Sequence, residues 1–196
     1  VLLETQRQKI ELLNDIISSY VIKDIRHVLQ IEKLQELNKL LRMLAFGIGK
    51  EANISELSRN AGLHRESTQK YLMALEESFI ISSISPFYTN PDKELRKMPK
   101  IYFTDTGLRN MLVNDFSTLG NRIDKGELVE NMFYLSLLQS RTLSTKIHYW
   151  KTRQGREVDF VLKSPDKIIV YEVKYGAQNR DHFNAFRNAY PQASFF

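Results

Sequence analysis

Apolar residues recur at helical spacing along the first fifty residues. This periodicity predicts one helix over residues 1–31 and a second over about 33–46, which ends at Gly47. The second helix carries leucines at 34, 37, 40, 41 and 44 on one face. Residues 1–50 are therefore predicted to form a helical segment, a linker or lid, whose role is packing.

Residues 53–104 show a different alternation, with a short helix, a turn and a longer helix. The pattern predicts a cap at Ser55, a turn through 61–63 around Gly62, and a second helix with Leu72 and Leu75 facing inward. Two apolar runs, 80–84 and 100–104, read as strands on either side of a basic loop. The sequence thus predicts a winged helix-turn-helix domain over residues 51–115.

Polar residues come early in the second helix of this unit, where major-groove readers place their base contacts. The loop between the strands adds further cations, including Lys100. Contact with duplex DNA is one hypothesis for this domain, and contact with protein alone is the other. The predicted DNA-binding residues are Arg65, Ser67, Thr68, Gln69, Lys70, Lys93, Arg96 and Lys97.

The last part of the chain alternates helix and strand. A helix is predicted over 126–138, then strands over 157–162 and 168–174 joined by a Ser-Pro-Asp-Lys turn at 164–167. We therefore expect an α+β protein: helical and winged-helix parts at the N-terminal end, followed by an α/β domain over residues 120–196.

Charged residues sit inside these otherwise apolar strands. Asp159 lies in the first, and Glu172 and Lys174 lie two residues apart in the second. A hairpin through the 164–167 turn would bring them together. Two carboxylates and one ammonium group at one end of a sheet suit a hard divalent cation, Mg²⁺ or Mn²⁺, with a general base or electrostatic stabiliser beside it.

The charge distribution favours a polyanionic partner. The chain has a net charge of +5, and residues 141–187 alone contain ten lysines and arginines against five acids. A basic surface around an acidic pocket suits nucleic acid, although a solvated face explains the charge equally well. The chain has no cysteine, which excludes disulfides and cysteine zinc sites. No run of about 18 apolar residues predicts a membrane span, and no signal peptide is visible.

The combination of Asp159 with Glu172-Val173-Lys174, preceded by the acid-bearing helix GELVENMFYLSLL, resembles the core of the PD-(D/E)XK nuclease superfamily. In place of the Pro-Asp often seen there, this chain has Glu157-Val158-Asp159. The resemblance implies a restriction-endonuclease-like fold for residues 120–196 and a catalytic set of Glu130, Asp159, Glu172 and Lys174. In that family the helix before the sheet adds an acid, and Glu130, which shares a helix face with Phe133, is the match here. Glu130, Asp159 and Glu172 would then hold Mg²⁺ or Mn²⁺, with Lys174 positioning or activating water.

The order of the parts resembles a wider pattern. The segments SYVIKDIRHVLQIEKLQELNKLLRMLA, NISELSRNAGLHRESTQKYLMALEESFII, KIYFTDTGLRNML, IHYWKTRQGREVDFVL and YEVK look like the C-terminal half of a prokaryotic AAA-type ATPase family of largely uncharacterised role. The resemblance implies a cytoplasmic fragment truncated at its C-terminus, with ATP bound only by an N-terminal domain outside these 196 residues. The first residue is Val, and Phe195-Phe196 looks like the start of a new strand, so we expect both ends to be cuts through a longer protein.

Three functional classes stay open at this stage. The first is a metal-dependent nuclease module that hydrolyses phosphodiester bonds. The second is a non-catalytic DNA-binding module, and the third is a region that couples the ATPase to itself or to a partner protein.

Overall fold

The computed structural model describes residues 5–16, 34–88, 98–176 and 183–196. The protein has a mixed α+β architecture, as predicted, with seven α-helices and two small sheets in the described part of the chain. The helices are α1 (Gln6–Ile16), α2 (Leu34–Phe46), α3 (Ile54–Ala61), α4 (Arg65–Glu77), α5 (Thr106–Val113), α6 (Lys125–Ser140) and α7 (Asn184–Ala189). The strands are β1 (Ile81–Ile84), β2 (Lys100–Phe103), β3 (Lys146–Lys151), β4 (Glu157–Lys163), β5 (Ile168–Tyr171) and β6 (Ser194–Phe195).

These elements fall into two compact units, and each unit is made of two separate segments of the chain. The first unit contains residues 1–82 and 101–118, and the second contains residues 83–100 and 119–196. Of the predicted separate segment 1–50, the described residues 5–16 and 34–50 therefore share a unit with most of the predicted 51–115 domain. The described residues 83–88 and 98–100 belong to the second unit.

The core of the first unit is built on the leucine face of α2. Leu37, Leu40, Leu41 and Leu44 are almost completely buried, as the helical spacing predicts. Against them pack the inner faces of α3, α4 and α5. The buried guanidinium of Arg109 in α5 donates from Nε to the carbonyl of Ala45 at the end of α2, at 2.8 Å. The predicted helix over 33–46 is confirmed, and of the predicted 1–31 helix the structure describes only α1.

The two helices α3 and α4, joined by a short turn, follow the local sequence signals, with one correction. The N-cap of α3 is Asn53, whose side chain accepts from the backbone N–H groups of Ser55 and Glu56. The predicted cap at Ser55 is therefore wrong, because Ser55 lies inside the first turn and is itself a donor to the cap. Gly62 ends α3 in the left-handed conformation (φ 76°) that glycine adopts most easily.

The second unit is organised around a four-stranded sheet in the order β3-β4-β5-β6. The β3–β4 and β4–β5 pairs are antiparallel, and β6 runs parallel to β5. The predicted turn at 164–167 joins β4 to β5, with the N–H of Ser164 donating to the carbonyl of Lys167 at 3.0 Å. The strand expected at the end of the chain is present as β6.

A β-bulge interrupts the pairing of β3 and β4 where the acidic residue sits. His148 pairs with Val161 and Trp150 with Val158, so Asp159 and Phe160 together lie opposite Tyr149. In a regular strand, Val158 and Val161 would point to opposite faces. Here both pack in one cluster with Trp150, Val170 and Phe186. The bulge thus changes, at the position of Asp159, the face of the sheet toward which the side chains of β4 point.

Helix α6 packs on the sheet through aromatic contacts. The ring of Phe133 lies 5.8 Å from that of Phe160 in β4 and 5.3 Å from that of Tyr171 in β5. The ring of Tyr134 also stacks on Phe160, at 6.2 Å. These contacts hold the helix that carries Glu130 against the strands that carry Asp159 and lead to Glu172.

Candidate active site

Asp159 links β4 to the segment that follows β5. Its side chain is buried, and Oδ2 accepts a hydrogen bond from the backbone N–H of Val173 at 2.8 Å. Strand β5 ends at Tyr171, so the prediction of a strand through Lys174 is wrong. The regular pairing with β4 also ends here, at Phe160 and Tyr171. Residues 172–174 leave the strand and lie beside Asp159.

Glu172 and Lys174 form an ion pair at this position. Lys174 Nζ lies 2.6 Å from Glu172 Oε1, and the lysine side chain is 43% exposed whereas that of the glutamate is 10% exposed. The other carboxylate oxygen, Glu172 Oε2, is buried and has no hydrogen-bond partner among the described residues. Leaving a buried acceptor unpaired costs about 1–3 kcal/mol, and more if the group is charged.

Glu130 is held by a residue that the sequence did not single out for this site. Lys100 Nζ lies 3.4 Å from Glu130 Oε1 and 2.5 Å from Glu157 Oε1. The Lys100 side chain is only 3% exposed and lies 5.5 Å from the centroid of the Tyr149 ring. Lys100, predicted in the basic DNA-facing loop, is instead a buried counterion at the start of β2.

Lys151 also pairs with Glu157, and its Nζ lies 3.4 Å from Glu157 Oε2. Neither Lys100 nor Glu157 carries a sequence signal for this role. The alternation of KIYF predicts only a strand. Their pairing depends on Lys100, α6 and β4 meeting, which local pattern does not show.

The electrostatics show that the acidic groups are close together. Burial, together with the negative charges of Glu130 and Glu172, raises the pKa of Asp159 from 3.8 to about 7. The Val173 hydrogen bond and Lys100 oppose this increase without cancelling it. At neutral pH part of the Asp159 population is therefore protonated, chiefly because burial disfavours its charged form.

The pKa values of the two lysines, Lys100 and Lys174, are also raised, but for them burial opposes the increase. Burial alone would lower the pKa of Lys100, but Glu130 and Glu157 outweigh it, and the pKa is raised. For Lys174 burial also acts to lower the pKa, and the hydrogen bond and charge of Glu172 raise it above the ordinary value. Both ammonium groups are therefore charged at neutral pH.

The structure thus brings all four predicted catalytic residues into one electrostatic cluster, which we call the carboxylate cluster: Glu130, Asp159, Glu172 and Lys174. Within the described ranges, no three acidic or histidine side chains are arranged to hold one metal ion. A site for Mg²⁺ or Mn²⁺ would use one or two carboxylates, as Mg²⁺ ordinarily does. Oxygen-only donors and the unpaired Glu172 Oε2 fit such an ion.

The predicted DNA-binding residues of α4 divide by exposure. Arg65, Gln69 and Lys70 are exposed and Ser67 is half-buried. Thr68 is completely buried, and its hydroxyl donates to the carbonyl of His64 at 3.1 Å. Its predicted DNA contact is therefore wrong, since the side chain faces the core. Lys93, Arg96 and Lys97 lie outside the described residues.

Comparison with known proteins gives relatives without assigned roles. The chain is 29% identical over 134 residues to an uncharacterized protein of Mycobacterium tuberculosis, covering 67% of this chain and 30% of the relative. It is 24% identical over 188 residues to an uncharacterized protein of Haemophilus influenzae, covering 93% of this chain and 44% of the relative. An uncharacterized protein of Methanocaldococcus jannaschii is 27% identical over 165 residues, which cover 81% of this chain and 34% of the relative.

The chain spans less than half the length of these curated relatives. No solved structure matches it. Over the described residues, no helix has the length and apolar character needed to cross a bilayer.

Two family models match, and the boundary between them lies close to residue 118, where the chain passes from the first structural unit to the second for the last time. Residues 125–195 match the model described as domain of unknown function DUF4143. Residues 1–121, more than half of the chain, match the model described as domain of unknown function DUF8612. The protein therefore belongs to the DUF8612 family.

Proposed function

We propose that the second unit is a metal-dependent, nuclease-like module whose carboxylate cluster hydrolyses phosphodiester bonds. One observation carries this proposal. Glu172 Oε2 is buried without a partner beside Asp159, whose pKa is raised to about 7 by burial and by neighbouring carboxylates. A cluster of excess negative charge with an unpaired buried oxygen is suited to a divalent cation.

Asp159 and Glu172 would hold Mg²⁺ or Mn²⁺, with Glu130 near enough to raise the pKa of Asp159. A bound divalent ion would stabilise developing phosphate charge and lower the pKa of an attacking water. The chain itself supplies orientation and positive charge. The Val173 amide fixes Asp159, and Glu172 fixes the charged Nζ of Lys174 at the exposed edge of the cluster. Lys174 can therefore orient a water or a phosphate oxygen.

The fold assignments behind this proposal are an α/β restriction-endonuclease-like domain and a winged helix. The endonuclease-like assignment is supported by the pairing of β4, which carries Asp159, with β5, which leads to Glu172. It is also supported by the packing of the acid-bearing helix α6 on this sheet. The succession of α3, α4, β1 and β2 supports the second, and the exposed Arg65 and Lys70 on α4 support its contact with DNA.

We also propose that the chain is the DNA-associated C-terminal module of a prokaryotic, cytoplasmic AAA-type ATPase. The relatives are more than twice as long as the region they share with this chain, which leaves room in them for an ATPase domain. ATP would then be bound by that domain, and this chain would bring the DNA and the nuclease-like site.

A second candidate is a non-catalytic module, which binds DNA or couples the ATPase to itself or to a partner protein. One observation favours it. Lys174 and Lys100 are already paired with Glu172, Glu130 and Glu157, so most of the cluster is neutralised within the chain. In that case the cluster holds α6 to the sheet and performs no chemistry.

Metal binding and cleavage separate the two candidates. Mn²⁺ binding is measured by calorimetry and by electron paramagnetic resonance, and cleavage on linear, nicked, branched and single-stranded DNA. We expect Asp159→Asn to lose metal and cleavage together, and Lys174→Ala to lose cleavage while still binding Mn²⁺. Asp166→Asn, an exposed acid in the β4–β5 turn, is the matched control and should behave as the unmodified chain. Absence of Mn²⁺ binding, or cleavage that survives both cluster variants, would leave the non-catalytic candidate.

A further inference from the structure

The hairpin between β3 and β4 ends in two exposed arginines, Arg153 and Arg156. Neither has an ion-pair or hydrogen-bond partner for its guanidinium among the described residues. An exposed cation whose charge is not used within the protein is available to an anion. A pair of them on one short turn forms a local positive patch.

The turn itself has a defined conformation. The N–H of Thr152 donates to the carbonyl of Arg156 at 2.8 Å, and the N–H of Gly155 donates to the carbonyl of Thr152 at 3.1 Å. The Thr152 hydroxyl accepts from the N–H of Arg156 at 3.1 Å. Gly155 adopts φ 83°, where a side chain would be strained. The two arginines are therefore carried on a preorganised backbone, which lowers the entropy lost when they bind a ligand.

The hairpin leads directly into the carboxylate cluster. Arg156 precedes Glu157 at the start of β4, and Asp159 follows three residues after Arg156. At the rise of a β-strand this places the backbone of Arg156 about 10 Å from that of Asp159. Successive phosphates of a nucleic acid strand are spaced by roughly 3.4 Å per nucleotide along the helix axis. If a nucleic acid strand has one phosphate beside Asp159, a phosphate a few nucleotides further along can thus reach Arg153 and Arg156.

We propose that the tip of the β3–β4 hairpin, residues 153–156, is a phosphate-binding element that seats a nucleic acid strand beside the carboxylate cluster. The proposal rests on the proposed function, because the cluster is what the strand is delivered to. Arginine suits this role, since its planar guanidinium donates two parallel hydrogen bonds to phosphate oxygens. The arginines position the strand, and the cluster carries the chemistry.

Site-directed cleavage tests this placement, and the absence of cysteine from the chain makes it direct. Gln154→Cys at the tip and Ser144→Cys in the exposed 141–145 turn are each labelled with iron–EDTA. Residue 144 precedes β3, whose first residue pairs with Lys163 at the end of the sheet opposite to the tip. With end-labelled single-stranded and duplex oligonucleotides, the label at 154 should cut the bound DNA and the label at 144 should not. Equal cutting from both positions, or cutting from 144 only, would overturn the proposal.

Binding affinity provides the second readout. Arg153→Ala/Arg156→Ala should weaken binding about tenfold or more at low salt. It should also reduce the slope of log K against log salt by roughly 0.7–0.9 for each phosphate that the variant no longer binds. Arg141→Ala, an exposed arginine at the other end of the sheet, is the matched control and should leave both quantities unchanged. An unchanged slope in the double variant would overturn the proposal, as would the absence of DNA binding by the unmodified chain at low salt.

The failure of this inference can be told apart from failure of the proposed function. If the label at 154 cuts DNA while the unlabelled protein neither binds Mn²⁺ nor cleaves, the hairpin binds nucleic acid and the cluster is non-catalytic. If Mn²⁺ binding and cleavage are present and the double variant retains full affinity, the cluster is active and the hairpin plays no part in seating the strand.

Discussion

Asp159 Oδ2 accepts the backbone N–H of Val173 at 2.8 Å, across the point where β4 and β5 separate. The regular pairing of β4 with β5 ends at this point, and Glu172 and Lys174 flank the residue whose amide Asp159 binds. The side chain that is proposed to bind metal therefore also bonds to the backbone between Glu172 and Lys174.

The pH dependence of stability should report the buried state of Asp159. Its folded pKa of about 7 exceeds the unfolded value of 3.8. Stability from this group is therefore fully present below about pH 4 and is lost as the pH rises through about 7. The amide of Asp159→Asn stays neutral and still accepts from Val173. Without metal, the variant should match the unmodified chain near pH 4 and be more stable above pH 7, by up to about 4 kcal/mol.

Urea unfolding from pH 4 to 8 in EDTA measures this difference, with Asp166→Asn as the control that should follow the unmodified chain. Added Mg²⁺ should stabilise the unmodified chain at pH 8 and leave Asp159→Asn unaffected. An Asp159→Asn variant that is less stable than the unmodified chain at pH 8 in EDTA would contradict the assignment of a destabilising buried charge.

Removing Lys100 should strongly destabilise the second unit. Lys100→Met leaves the half-buried Glu130 and Glu157 without their central cation, and breaking a buried pair in this way costs about 3–5 kcal/mol. Lys151→Met is the matched control, because it removes a lysine from the same Glu157 at a more exposed position. That change should cost at most about 1 kcal/mol. Equal losses for the two variants in denaturant unfolding would show that Lys100 is not the central counterion.

At position 79, glycine should give a more stable fold than alanine. It follows α4 with φ 54°, a left-handed conformation that is unfavourable for a bulky residue, and its side chain is 81% exposed. Phe79→Gly should raise the free energy of unfolding by about 1 kcal/mol relative to Phe79→Ala, since both remove the ring and only glycine relieves the backbone. Thermal unfolding measures the difference. An alanine variant as stable as the glycine variant would argue against strain at this position.

The exposed cations of α4 should contribute to DNA affinity if that helix contacts duplex DNA. Arg65→Ala/Lys70→Ala should weaken binding and lower the salt slope by about 0.9 for each phosphate that is no longer neutralised. The double variant Lys39→Ala/Arg42→Ala removes one lysine and one arginine from the exposed face of α2 and should have little effect. Anisotropy titrations of a labelled duplex over a range of salt measure both slopes, and equal effects of the two pairs would exclude α4 as the specific DNA contact.

Features that depend on neighbours in the chain were predictable from the amino-acid pattern. The apolar face of α2, the Gly62 turn and the turn after β4 follow from helical periodicity, glycine conformation and the turn residues Ser-Pro-Asp-Lys. The proximity of Asp159 to Glu172 belongs here too, because a short turn between two antiparallel strands determines which residues face each other.

Features that depend on distant segments meeting were decided only by the tertiary structure. The bulge opposite Tyr149 breaks the two-residue alternation that a strand pattern assumes, and Lys100 reaches Glu130 and Glu157 only because it packs between α6 and β4. Burial also overturned the predicted DNA contact of Thr68. The sequence suggests an exposed hydrogen-bond donor there, but the side chain is completely buried. Local sequence specifies which residues are adjacent along a helix or strand, whereas ion pairing and exposure depend on which surfaces come together in the folded chain.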